Sequence, residues 1–154
     1  MIKDNYSSIA VDAMGGENSP KKIIEGCDIF LKNNKNVKLI IFGDINLIDK
    51  NFLKKYSETV STVNCTEKIF DEDKPSSILR SKKDSSMRKA IEFIKNNPEV
   101  GFVSAGNTGA VTALSTIILG TLENIKRPSF CSVIPTAKGF SVMLDLGANK
   151  ESNE

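Results

Sequence analysis

Small and polar residues cluster at positions 104–111, where the sequence reads SAGNTGAV between two apolar segments. Glycine lets a ligand approach the backbone closely. A helix that begins here would direct free N–H groups and the positive end of its dipole at that ligand. Asn107 and Thr108 would add side-chain hydrogen bonds. The pattern predicts a site for phosphate or a carboxylate, although a plain turn between a strand and a helix is an equally good interpretation.

Two other glycine-bearing turns follow predicted strands, DAMGG at 12–16 and DLGAN at 145–149. Asp12 ends the first strand, and Asp145 and Asn149 flank the third turn. The chain has no GxxxxGK[ST] phosphate loop, and no GxGxxG dinucleotide fingerprint follows the first strand. These turns therefore favour binding of a small anion over binding of a nucleotide.

A cationic segment, RSKKDSSMRKA at 80–90, supplies the other dense set of polar side chains. One interpretation is a solvated basic turn in which Asp84 or Ser85 caps the next helix. The alternative is a cationic clamp on a phosphorylated ligand. The pattern alone leaves both open.

The 154 residues contain no histidine. This absence excludes Ser–His and Cys–His nucleophile pairs, the usual zinc sites and the commonest general base. The three cysteines are Cys27, Cys65 and Cys131, and none forms a CxxC pair, so we predict no metal and no cofactor. Chemistry would have to depend on charge placement, backbone N–H groups, carboxylates, lysines and hydroxyls.

Composition limits the partners and the compartment. The net charge is +2, charged residues make up 26% of the chain, and no basic stripe carries interleaved aromatic residues. Binding to nucleic acid is therefore not expected. The N-terminus has no apolar signal region, and no apolar run reaches 18 residues, so we predict a cytoplasmic protein without a transmembrane segment.

Strand and helix patterns alternate along the chain. Apolar runs predict strands at 7–13, 37–43, 59–65, 100–105, 129–136 and 139–147. Amphipathic patterns predict helices at 20–34 (with Ser19 as its cap), 44–57, near 75–80, 84–97 and 106–120. This order predicts one α/β domain over 1–154, layered α/β/α with a largely parallel, Rossmann-like sheet. In such sheets ligands bind at the carboxyl ends of the strands, where the glycine turns fall.

Five ordered blocks carry a family resemblance: IAVDAMGGENSP, RSKKDSSM, SAGNTGA, RPSF…IPT and LDLGAN. In order and spacing they resemble the phosphate acyltransferase family of bacterial phospholipid synthesis (PlsX type), from about Ile9 to Asn149. The resemblance implies transfer of a fatty acyl group from acyl carrier protein to inorganic phosphate. It also implies an α/β/α fold, a homodimer, and a product passed to a membrane acyltransferase, with peripheral membrane association as one option.

The resemblance assigns roles to the residues of these blocks. Gly106, Asn107, Thr108 and Gly109, with Ser104 beside them, would cradle phosphate or the oxyanion. Lys83, Ser85 and Ser86 would neutralise phosphate or contact the pantetheine arm. Asp12, Gly15 and Gly16 would shape the first loop, and Asp145 and Asn149 the third. We take Asn107, Lys83 and Asp12 as the catalytic candidates, although Asp12 could simply tie loops together and the glycines could simply permit turns.

Two departures from the family pattern affect the prediction. Glu17 stands where the family's first loop usually has aspartate, and family chains are roughly twice this length. The sequence therefore resembles an N-terminal half, and we expect an unpaired sheet edge and an uncovered apolar surface on AVTALSTIIL at 110–119. Alternative hypotheses are an inactive remnant that binds anions or pairs with other subunits, and a related enzyme that uses acyl-CoA.

Overall fold

The computed structural model describes residues 7–126 and 128–144, apart from the side chain of Pro75. Four parallel strands form a sheet in the order β3-β2-β1-β4, which confirms the predicted α/β class. The strands are β1 (Ser7–Asp12), β2 (Val37–Gly43), β3 (Val60–Asn64) and β4 (Gly101–Val103). Because all four run in the same direction, their carboxyl ends meet at one edge of the sheet.

Five α-helices in the described part of the chain connect the strands or follow them. They are α1 (Lys21–Asn33), α2 (Lys50–Lys55), α3 (Pro75–Ser81), α4 (Ser86–Asn96) and α5 (Thr108–Ile118). No helix among the described residues is long and apolar enough to cross a membrane.

Side chains from the central strands are buried on both faces of the sheet. Val11 and Ile41 pack with α1 and α2 on one face, whereas Ala10 and Phe42 pack with α4 on the other. Successive residues of a strand point to opposite faces, so two-sided burial explains why the apolar run at 37–43 does not alternate with polar residues. The predicted α/β/α layering is confirmed.

A separate apolar cluster fixes the start of α5 against α3 and α4. Its buried members are Ile69, Ile78, Met87, Ile91, Ala110 and Leu114. This cluster determines where the segment 104–109, which precedes α5, lies relative to the carboxyl edge of the sheet.

Two details of the prediction were wrong. The single helix expected over 44–57 is a short 3-10 helix (Ile45–Leu47) followed by α2. Asp49 interrupts it, because its backbone is extended and its carboxylate accepts from the N–H of Asn51 at 2.8 Å, as an N-cap does. Ser19 does not cap α1, since the capping position is Pro20 and the Ser19 hydroxyl turns to the preceding loop.

The chain divides into two compact units, Met1–Leu119 and Gly120–Glu154. The described part of the second unit contains a hairpin of β5 (Cys131–Thr136) and β6 (Gly139–Leu144). Both strands were predicted, but they pair antiparallel with each other and stand in a sheet of their own. Among the described residues of the first unit, β4 is an outer strand of the sheet, and the expected unpaired edge stays a prediction. Ile117 of α5 is 64% exposed, whereas Leu114 is buried.

Candidate functional site

A buried carboxylate joins three elements at the carboxyl edge of the sheet. Asp12 ends β1 and is only 1% exposed. Its Oδ1 accepts from the hydroxyl of Ser86, at the start of α4, at 2.5 Å, and from the N–H of Met14 at 3.2 Å. Its Oδ2 accepts from the hydroxyl of Ser104, just after β4, at 2.7 Å. Asp12 thus holds together the ends of β1 and β4 and the beginning of α4.

Two glycine loops, 12–19 and 104–109, pack backbone against backbone beside this carboxylate. A Cβ atom on Gly15 would lie 2.7 Å from the nitrogen of Gly106 and 2.6 Å from Oδ2 of Asp12. Gly16 has φ +82°, and a Cβ there would lie 2.7 Å from the carbonyl oxygen of Ala105. No other residue fits at either position without displacing the second loop. Three of the predicted glycines, Gly15, Gly16 and Gly106, therefore lie together.

Hydrogen bonding at the start of α5 leaves several N–H groups without an acceptor among the described residues. The Gly106 N–H donates to the Ser104 hydroxyl at 3.0 Å, and the Ala110 N–H donates to Oδ1 of Asn107 at 2.9 Å. The exposed residues between them, Thr108 and Gly109, have no acceptor for their N–H groups among the described residues. First-turn N–H groups of this kind, together with the helix dipole, attract anions.

Asn107 is the N-cap of α5 and uses both ends of its amide within the fold. Its Oδ1 accepts from Ala110, and its Nδ2 donates to the carbonyl oxygen of Asp71 at 2.8 Å. The second bond ties α5 to the segment 65–74, which connects β3 to α3. In this geometry Asn107 orients the first turn of α5.

The predicted cationic clamp separates into two buried serines and two lysines in different surroundings. Ser85 is completely buried and donates to the carbonyl oxygen of Lys82 at 2.9 Å, and Ser86 is bound to Asp12. The Lys82 ammonium lies 3.8 Å from the Asp73 carboxylate, whereas Lys83 is exposed. Of these residues, only Ser86 joins the Asp12 cluster directly. Asp145 and Asn149 lie outside the described residues.

Ion pairing fixes the turn that precedes α4. The hydrogen bond from Lys89, followed by those from the hydroxyl and N–H of Thr66, lowers the pKa of Asp84 to about 2. The carboxylate of Glu67 also accepts from the backbone N–H of Asp84 at 2.7 Å. Nearby, burial raises the pKa of the Cys65 thiol to about 11, so this cysteine does not offer a thiolate at neutral pH.

Lys68 is a residue at this edge that the sequence patterns did not single out. Its ammonium donates to the Ser19 hydroxyl at 2.9 Å. That hydroxyl in turn lies 2.7 Å from the carbonyl oxygen of Met14 and 3.0 Å from that of Gly16. Lys68 is one of many lysines and belongs to no periodic pattern, so only the fold indicates that it reaches the first glycine loop.

These features define an α/β protein with a candidate anion site at the carboxyl edge of a parallel sheet. The elements of that site are two glycine loops, the N–H groups that begin α5, and Lys68 beside the first loop. Comparison with known proteins identifies the family.

Residues 7–154 match the family described as "Fatty acid synthesis protein", and the chain belongs to that family. Three curated relatives, each named "Phosphate acyltransferase", come from Wolbachia pipientis subsp. Culex pipiens, Ehrlichia canis and Caldicellulosiruptor bescii. Their identities to this chain are 43%, 45% and 37%, over 97%, 92% and 93% of its length. The chain spans only 45%, 44% and 43% of these relatives, which corresponds to their N-terminal half.

Proposed function

We propose that this chain forms the phosphate-binding half of an acyltransferase. The enzyme would transfer a fatty acyl group from an acyl carrier protein thioester to inorganic phosphate, giving an acyl phosphate for phospholipid synthesis. The observation that carries the proposal is the close packing of two glycine loops next to the N–H groups of Thr108 and Gly109, which have no acceptor within the described part of the chain. The relatives named phosphate acyltransferase support the choice of phosphate as the anion.

The chemistry suits a site without histidine. Phosphate is partly dianionic at neutral pH, and one of its oxygens can attack the thioester carbonyl carbon without a general base. The C–S bond then breaks, and the thiolate, whose conjugate thiol has a pKa of about 8.5, leaves and takes its proton from solvent. The protein has to hold phosphate beside the thioester and stabilise the oxyanion with preformed donors.

The described residues divide these tasks between contact and positioning. The N–H groups of Thr108 and Gly109 would bind phosphate or the oxyanion, and exposed Lys83 would approach the anion from solvent. Asp12, Ser86 and Ser104 would hold the two glycine loops at a fixed separation, and Asn107 would orient α5. Ser85, Gly15, Gly16 and Gly106 would maintain the backbone path without touching the substrate.

The partners and location follow from the same proposal. We infer that the complete enzyme is a cytoplasmic homodimer that meets acyl carrier protein and supplies a membrane acyltransferase, with peripheral contact at the membrane. The family resemblance supports these inferences.

Acyl phosphate formation in a chimaera tests the proposed function. In it, this chain replaces the matching N-terminal part of the Wolbachia relative, whose remaining half completes the protein. Acyl carrier protein thioester and phosphate are supplied, and acyl phosphate is trapped as a hydroxamate, with acyl-CoA in a parallel reaction. We expect acyl phosphate from the carrier-protein thioester. The proposal is contradicted if the chimaera folds but makes no acyl phosphate under conditions in which the unmodified Wolbachia relative is active.

A further inference from the structure

Lys68 is a half-buried cation without a carboxylate partner among the described residues. Its ammonium donates to the neutral Ser19 hydroxyl and lies 5.7 Å from the centre of the Phe70 ring. Lys82 approaches the same ring at 5.4 Å but has Asp73 beside it. Removing a cation partly from water is unfavourable unless a charged partner compensates. The position of Lys68 therefore favours an anionic ligand.

The fold places this ammonium next to the glycine loops. Ser19 links it to the carbonyl groups of Met14 and Gly16, and so to the first loop. Gly16 lies directly against Ala105 in the second loop. The segment that carries Lys68 is attached at its other end to the start of α5, because Asn107 donates to Asp71. Lys68 thus belongs to a segment that spans from the first glycine loop to the helix that offers free N–H groups.

We propose that Lys68 binds a phosphate group of a substrate at this edge of the sheet. The inference deepens the proposed function and rests on it. Two sources share the required chemistry, inorganic phosphate and the phosphodiester of the prosthetic arm that carries the acyl thioester. In both cases the ammonium exchanges its neutral partner Ser19 for a charged oxygen, or binds both, and gains a charge-assisted hydrogen bond.

Kinetics of Lys68→Met and Lys68→Gln in the chimaera test the assignment. Both variants remove the charge and keep much of the stem, and Lys54→Met, at an exposed position of α2, is the control for loss of one lysine. Loss of a charge-assisted bond predicts a rise in one KM of about 10- to 100-fold. Lys68→Arg should recover part of the affinity, because it restores the charge.

The two arms of the experiment distinguish the sources of phosphate. A raised KM for inorganic phosphate assigns Lys68 to the attacking substrate. A raised KM for the thioester alone, with carrier protein and with acyl-CoA, assigns it to the phosphodiester of the arm. If neither KM moves beyond the effect of Lys54→Met, the proposal is overturned.

Equilibrium dialysis of the full 154-residue chain with radiolabelled phosphate separates this inference from the proposed function. If the chimaera makes no acyl phosphate, the proposed function fails, and Lys68 is then judged by dialysis alone. Weaker phosphate binding by Lys68→Met and Lys68→Gln, with normal binding by Lys54→Met, supports the inference. Equal binding by all four proteins, or no binding by the unmodified chain, overturns it.

Discussion

Replacement of Asp12 by asparagine removes the negative charge of the carboxylate that holds the site together and leaves the shape of the side chain almost unchanged. Oδ1 can still accept from Ser86, but an amide group now faces the Ser104 hydroxyl in place of Oδ2. The amide nitrogen cannot accept, so the Ser104 proton loses its acceptor. The Ser104 oxygen, which already accepts from Gly106, can use its second lone pair to accept from the amide.

The structure sets the magnitude of this change. One half-buried donor, the Ser104 hydroxyl, is left without its acceptor, and two hydrogen bonds lose a charged partner, so we expect a loss of about 2–4 kcal/mol in the free energy of unfolding. Most of this loss should arise at Asp12, because that side chain is only 1% exposed. Ser104→Ala removes one of the three bonds to Asp12 and also the acceptor of the Gly106 N–H, and it should cost about 1–2 kcal/mol.

Urea denaturation followed by circular dichroism measures both losses. Because the hydrogen bonds of Asp12 align the glycine loops, Asp12→Asn should also raise the KM for phosphate in the chimaera, and Ser104→Ala should raise this KM less. A loss below about 0.5 kcal/mol for Asp12→Asn, with phosphate use unchanged, would refute the positioning role of Asp12.

Three further predictions concern the rest of the site. Asn107→Ala removes the cap of α5 and should cost about 1 kcal/mol of stability, measured by denaturation. It should also weaken phosphate use by about 1–3 kcal/mol, measured by the KM for phosphate. If neither the stability nor the KM changes, Asn107 does not have the proposed role. Lys83→Met should impair turnover more than Lys82→Met, because the Lys82 ammonium faces a carboxylate whereas Lys83 is exposed; equal, negligible effects on the chimaera's rate would return this segment to a solvated turn. The pKa of Asp84 is lowered in the folded state, so its contribution to stability is present above about pH 4 and is lost as the pH falls through about 2. Denaturation measured from pH 6 to pH 2 should show a smaller acid-dependent loss of stability in Lys89→Met than in the unmodified chain. An equal loss of stability in both proteins would contradict a stabilising ion pair between Lys89 and Asp84.

The sheet could be predicted because its strands are continuous apolar runs that few other structures accommodate. Residues 37–43 were predicted as a strand with the bounds that the structure has. The apolar face of α4 could also be predicted, since Met87, Ala90 and Ile91 are buried as the amphipathic pattern requires. The glycine loops could be placed at the sheet edge because parallel strands bring their carboxyl ends together.

Contacts between distant segments could not be predicted from local pattern. Ser86 and Ser104 are 74 and 92 residues from Asp12, and nothing in their neighbourhoods indicates a common partner. Ser85 looked like a candidate ligand contact, but the packing of α4 buries it. Lys68 was missed for a related reason. Its approach to the first glycine loop depends on the path of the segment 65–74, and that segment has no periodic pattern from which the path could be predicted.

Amide chemical shifts during a phosphate titration test the central claim most directly. In the isotopically labelled chimaera, phosphate should produce its largest ¹H–¹⁵N shifts at the N–H groups of Thr108 and Gly109, and chloride at matched ionic strength should not. The Ala110 amide, which is already bound to Asn107, should move less. Saturable shifts centred on Thr108 and Gly109 would support a phosphate site at the start of α5. Phosphate shifts centred elsewhere, or none at these two amides, would contradict it.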